Sequence, residues 1–252
     1  MTTADSAQLQ VHIFSAGAAR VWIEQTLSAS PWAGLANYST RYAALQSTLI
    51  EVQGCLSQGL ACHLTVLTPE TARALQQSWP DRVESLGSLG RAATGWVVLA
   101  SDPQDYDISS PAALSQTVRE LDVMLVPDLQ ASSGGRHLNQ VLQQLQLTAG
   151  DIQAVRSFPG GAQAVAALAE YAGSRVMACA QSTEVQGANH ARYLGPFPSP
   201  HDLSTEYVVV LVRSHPGPLA MKHAQEFALA RRLGMHLCEP RLRAQRMQLG
   251  FA

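Results

Sequence analysis

The sequence predicts an α/β fold with mostly parallel central sheets. Three observations carry that prediction. Short apolar, β-branched runs alternate with segments of helical periodicity. Helical segments open on start signals such as Thr68-Pro69 and Ser110-Pro111. Strand-like runs end in small residues just before a helix, as parallel strands feeding crossover helices do. In chain order, residues 9–14 read as strand and 18–27 as a short helix with apolar Val21, Trp22 and Leu27. Residues 43–56 are helical, with Leu45, Leu49, Val52 and Leu56 near one face. A strand over 64–67 closes at Thr68-Pro69, where Pro opens the next helix, and 95–100 is strand. Ser110 caps a helix beginning at Pro111; 122–126 is strand, ended by Pro127. Residues 135–147 place Leu138, Val141, Leu142 and Leu145 on one helical face, and Ala-rich 161–171 is a further helix. Strands over 175–180 and 207–212 and a helix over 219–233 complete the chain. The Pro- and Gly-rich stretch 187–200 reads as a linker or crossover, and a domain switch is expected near 90–100.

Composition narrows the function. Hydrophobic residues are 46% of 252, enough for a sizeable core, whereas charged residues are only 14%, with a net charge of −2 and no basic run. A nucleic-acid partner, which needs a basic stripe to displace counterions, is not expected. No apolar stretch approaches the ~18 residues that span a bilayer. The start, Met1-Thr-Thr-Ala-Asp-Ser, passes into the first strand with no secretory signal, so a cytoplasmic chain, or a periplasmic one already processed, is expected. Cys55, Cys62, Cys179 and Cys238 lack metal spacing and read as reduced, buried hydrophobes, a Cys55–Cys62 disulfide being the alternative. Apart from His137 the histidines are scattered without ligand spacing, and neither a metal nor a cofactor is implied.

Three junctions share one chemistry. Phe14-Ser15-Ala16-Gly17-Ala18, the run Pro127 to His137 through Ser132-Ser133-Gly134-Gly135, and Phe158-Pro159-Gly160-Gly161-Ala162 each pass from strand to helix through small residues. Such turns offer backbone N–H groups at a helix start, and serine hydroxyls add neutral donors. Together they predict a site for a small anion.

These motifs, followed by Gln181-Ser-Thr-Glu184 and Leu194-Gly-Pro-Phe-Pro198, occur in an order that resembles the substrate-binding component of molybdate ABC transporters, in a divergent, molybdate-binding-protein-like branch. The resemblance runs from about Leu9 to the final helix. It implies a two-lobe type 2 periplasmic-binding-protein fold with hinge crossovers, lobe I being 1–98 plus 208–252 and lobe II 99–207. It also implies a small oxyanion or organic carboxylate held between the lobes, and a permease partner if the chain is exported. Carried over by position, Ser15 and Ala16 match the first junction, Ser132, Ser133 and Gly134 the second-lobe loop, and Gly160 and Gly161 a backbone donor site. Two elements depart from the family. Asn37 to Tyr42, with Ser39, Thr40 and Arg41, stands where a Ser-Gly turn is expected, and Gln181, with Thr183 beyond it, replaces a site tyrosine. Arg41, Arg136 and His137 would suit a carboxylate, which guanidinium groups pair bidentately.

A second reading keeps the scaffold but adds chemistry. An isomerase of an unsaturated polycarboxylate, resembling aconitate isomerase, needs a group that takes and returns a proton, and His137 or Glu184 could serve. Arg41 and the Ser132 loop would then stabilise the enolate-like charge. A cytoplasmic anion sensor is the third reading.

Overall fold

The computed structural model describes residues 8–130, 132–148, 151–214 and 221–252. The chain folds as two units, each assembled from segments distant in sequence. Unit 1 comprises Met1–Ala43, Ser47–Leu89 and Tyr207–Arg243; unit 2 comprises Ala44–Gln46, Gly90–Glu206 and Ala244–Ala252. The chain leaves unit 1 within strand β4 (Val83–Leu99) and returns within β9 (Ser204–Val212). Residues 219–220 of the expected last helix lie outside the described residues; the helix observed there, α7, is Met221–Leu237.

In unit 1, β1 (Gln10–Ala16) lies parallel to both β2 (Asn37–Ala43) and β3 (Leu64–Leu67), and β9 runs antiparallel to β3. The connections are helical: a 3-10 turn (Gly17–Ala19) leading into α1 (Arg20–Ser28), then α2 (Leu45–Gln58) and α3 (Pro69–Ser78). Strand β3 is buried at every residue, the pattern of a strand covered on both faces. Helix α7 packs on β1 and β3, burying Leu229, Ala230, Leu233 and Leu237. Trp22 of α1 donates its Nε1–H to the Leu237 carbonyl at 3.1 Å, which ties α1 to α7.

In unit 2, β5 (Val123–Pro127) is parallel to β6 (Val155–Phe158) and β7 (Val176–Gln181), while β4 runs antiparallel to β7 and β8 (Ala191–Pro196). The period of two along these strands sorts the core into two layers. Trp96 and Val98, Met124 and Val126, and Met177 and Cys179 pack on one side with Leu114 and Val118 of α4 (Pro111–Arg119) and Leu138 and Val141 of α5 (Ser133–Gln144). Val97 and Leu99, Leu125, and Val176, Ala178 and Ala180 pack on the other with Ala164 and Val165 of α6 (Gly161–Ala167). Each fully buried aliphatic side chain contributes about 1.5–3 kcal/mol.

The fold class is therefore α/β as predicted, but four elements have no counterpart in the sequence reading. Strands β2 and β6 are the outer strands of their sheets, where Asn37-Tyr-Ser-Thr-Arg-Tyr42 and Val155-Arg-Ser-Phe158 leave polar side chains partly or fully exposed. Strand β8 lies inside the stretch expected as linker, and a short helix α8 (Arg243–Gln248) follows α7. Strand β4 also begins twelve residues before the predicted 95, its apolar signal diluted by Gly87, Gly90 and Gly95. Gly95 is there because β8 crosses closely. A Cβ at this position would fall on the Gly195 carbonyl oxygen and within 2.7 Å of the Pro196 Cα.

Candidate functional site

Each unit, taken by itself, gathers its parallel strand ends at one edge of its own strands. In unit 1, β1, β2 and β3 end at Ala16, Ala43 and Leu67, each followed by the start of a helix or 3-10 turn. Ser15 is fully buried, and its hydroxyl donates to the Ala16 carbonyl at 2.9 Å. The Gly17–Ala19 turn that follows has Ala16 at its N-cap and no side-chain cap. Its first amides are thus left to some other acceptor. Thr68, in contrast, caps α3 by accepting from the Thr71 amide.

Ser39, Thr40 and Arg41 lie within β2, in register with His12, Ile13 and Phe14, rather than in a turn. Arg41 is exposed, pairs with Glu51 at 3.6 Å and stands 5.6 Å over the Phe14 ring. Beside it, burial pushes the Tyr42 hydroxyl up to about 12, so it is a neutral phenol at all working pH values.

In unit 2, β5, β6 and β7 end at Pro127, Phe158 and Gln181, and α5, α6 and a 3-10 turn (Ser182–Glu184) begin just beyond. Ser132 caps α5: its Oγ accepts from the Gly135 amide at 2.8 Å and donates to the Asp128 carbonyl at 2.9 Å. Both capacities of that hydroxyl are therefore engaged in the turn. The amides of Ser133 and Gly134, ahead of the capped one, stand outside the cap. Gly134 leaves the approach open, since a Cβ there would meet nothing closer than the Thr94 methyl at 3.8 Å.

Thr94, which the sequence reading did not single out, sits on β4 directly opposite Gln181 of β7. It is 1% exposed, and its hydroxyl has no hydrogen-bond partner among the described residues; the hydroxyl of Thr183, also buried, has none there either. A threonine before a glycine in a strand carries no sequence signal of a site. Only the pairing of β4 with β7 brings it to this edge.

Gly160 and Gly161 start α6, but that turn already has a carboxylate. Glu184 accepts from the Gln181 amide at 2.9 Å and from the Ala162 amide, while the Gln181 side chain accepts from the Glu184 amide in a reciprocal capping box. Burial raises the Glu184 carboxyl above its ordinary range and the two N–H donors oppose the rise. Gly161 is needed for this packing, since a Cβ would land on Glu184 Oε2.

The remaining polar candidates are engaged too. Arg136 is exposed and donates to the Gln130 carbonyl at 3.0 Å. His137 donates through Nε2 to the His201 carbonyl at 2.8 Å and lies 5.5 Å from the Phe197 ring. Neutral groups therefore dominate the strand ends of unit 2: Ser132, Ser133, Gly134, Thr94, Gln181 and Thr183.

No family model matches the chain, and no curated protein matches it. Solved structures do. The periplasmic molybdate-binding protein of Azotobacter vinelandii superposes with a TM-score of 0.67 at 14% identity, covering 96% of this chain and 98% of that one. The sulfate-binding protein SubI of Mycobacterium tuberculosis gives 0.60 at 14% identity, with 97% and 92% covered. The bromide-bound regulatory domain of HypT from Salmonella typhimurium gives 0.53 at 11% identity, with 93% and 100% covered. Identity this low speaks for architecture alone. The chain has the α/β fold of the two-lobe periplasmic binding proteins.

Proposed function

We propose that the chain binds a small oxyanion through the hydroxyl groups and helix-start amides at its strand ends, and that capture of the anion is its activity. The observation that carries this reading is the neutrality of the donors. In unit 1 the uncapped Gly17–Ala19 turn offers N–H groups at a strand end, and the buried Ser15 offers a hydroxyl that would turn from the Ala16 carbonyl to the anion on binding. The α5 start and the Thr94 and Thr183 hydroxyls, which have no hydrogen-bond partner among the described residues, do so in unit 2. Amides at a helix start favour a negative charge, and neutral donors suit an anion that arrives fully charged. Two proteins of the same fold are molybdate- and sulfate-binding by name, which agrees with an oxyanion.

The engagement of Arg41 with Glu51, of Arg136 with Gln130 and of His137 with His201 favours the oxyanion over a polycarboxylate, which would draw on those groups. Glu184, the other proton-moving candidate, serves as a cap. Binding rather than proton transfer is the reading these contacts support.

A thermal-shift panel of molybdate, tungstate, sulfate, phosphate and citrate tests it. A tetrahedral oxyanion at 100 times its dissociation constant is expected to add about 2.7 kcal/mol and raise the melting midpoint. A shift with citrate alone would transfer the site to carboxylates. Silence across the panel would contradict the proposal.

A further inference from the structure

The outer strand of unit 1 is a second surface with a chemistry of its own. β2 pairs with β1 over its whole length, 7 residues in continuous register without a bulge. The Asn37 amide donates to the Leu9 carbonyl at 2.8 Å, which fixes the alternation. Asn37, Ser39, Arg41 and Ala43 turn their backbone groups to β1, and Tyr38, Thr40 and Tyr42 turn theirs outward. The Tyr38, Thr40 and Tyr42 amides have no acceptor among the described residues. Edge strands are ordinarily blunted by shortness, Pro, Lys or a bulge. The outer strand of unit 2 follows that rule: β6 is 4 residues long, carries the exposed Arg156 and runs into Pro159. β2 does not. It has no Lys, Pro or Gly, and its one charge, Arg41, is drawn to Glu51 at 3.6 Å.

We propose that β2 pairs antiparallel with β2 of a second copy of this chain, about a two-fold axis at Thr40. The residues select that axis. With it, Tyr38 lies opposite Tyr42 of the second copy and Thr40 opposite Thr40, so each outward N–H meets an outward carbonyl. On the other face Arg41 stands opposite Ser39 of the second copy. An axis at Arg41 would set the two guanidinium groups against each other, and one at Ser39 would carry Tyr42 past the end of the facing strand. Backbone and charge are thus satisfied together at Thr40. The facing rings are held before pairing: the Tyr38 hydroxyl donates to the Trp32 carbonyl at 3.2 Å, and the Arg20 guanidinium stands 5.6 Å over the Tyr42 ring. Little side-chain freedom is then lost on association. A net charge of −2 sets up only weak repulsion between copies. A foreign extended segment would meet the same backbone groups without this matched register, which makes a second copy the better occupant. Such a contact uses one surface on both chains and closes at a dimer.

Sedimentation equilibrium of the intact chain over a range of concentrations tests the pairing. The wild type is expected as a monomer–dimer equilibrium with no larger species. Thr40→Pro removes an outward N–H and spares the bonds to β1, a place where an edge strand accepts proline. It should keep the far-UV circular dichroism of the wild type and stay monomeric. Ser39→Arg sets an arginine opposite each Arg41 and should weaken the dimer roughly tenfold, whereas Ser39→Glu sets a carboxylate there and should tighten it by a similar factor. Both substitutions are at an exposed position, so they decide the matter even if Thr40→Pro misfolds. A wild type that stays monomeric at every concentration overturns the proposal, including one whose edge takes up only a foreign extended peptide. So does a dimer that persists in a folded Thr40→Pro protein, one that ignores the charge placed at Ser39, or assembly beyond a dimer.

Discussion

Gly135→Ala is expected to destabilise the protein and to abolish anion binding, while Gly134→Ala, one residue earlier, leaves the fold intact. The contrast follows from the turn at the end of β5. A Cβ on Gly135 would lie on the Asp128 carbonyl oxygen, 2.6 Å from its carbon and 2.7 Å from Ser132 Oγ. These are the atoms that close the cap, through hydrogen bonds of 2.8 and 2.9 Å. Backbone cannot yield cheaply, so α5 must move away. Losing the cap costs about 1 kcal/mol, and forcing the extra carbon into packed backbone costs about 1–3 kcal/mol more. At roughly 2–4 °C per kcal/mol for a chain of this size, the melting midpoint should fall by several degrees or more. At Gly134 the nearest atoms to an added Cβ are at 3.8 and 3.9 Å, ordinary contact, and alanine favours a helix over glycine by about 1 kcal/mol. Equal midpoints for the two variants would show that the cap does not set the geometry of this turn.

Removal of the Glu184 carboxylate should have an effect of the same order. Glu184→Ala strands the Gln181 and Ala162 amides, each left without an acceptor at a cost of about 1–3 kcal/mol. Glu184→Gln keeps an acceptor oxygen and removes the charge, so its loss should be smaller. The pH dependence separates the two effects. The folded carboxyl titrates above its ordinary value because burial disfavours its charge. The folded state therefore holds this proton more tightly than the unfolded state does. That contribution to stability is fully present below the unfolded pKa and is lost as pH rises through the folded one. Chemical denaturation of the wild type from about pH 4 upward should show this decline, and Glu184→Gln should lack it. A variant that declines in parallel with the wild type would assign the titration to another group.

The parts of the fold that sequence could reveal are those with an apolar signature. β3, β5 and β7 are short, almost wholly buried and rich in Val, Leu, Met and Ala, and their positions follow from composition alone. The outer strands β2 and β6 are pinned by pairing with β1 and β5 rather than by their own hydrophobicity. Ser39, Thr40 and Arg41 consequently read as a loop. The cap of α5 was visible in Ser132-Ser-Gly-Gly, because small residues at a helix start have a local cause. Thr94 was not, since its place depends on a partner strand 87 residues later in the chain. Glu184 stood out as a possible base, but its burial under the first turn of α6 depends on tertiary packing that local spacing does not encode.

The most direct test of the neutral-donor site is a calorimetric titration of molybdate and sulfate into the wild type, Ser15→Ala and the double variant Arg41→Ala/Arg136→Ala. One oxyanion per chain is expected. Loss of the Ser15 hydroxyl should weaken it by about 10- to 100-fold, the worth of a hydrogen bond to a charged group, and loss of the two arginines should change it little. Absence of saturable binding, or binding that survives Ser15→Ala and disappears with the arginines, would contradict the account.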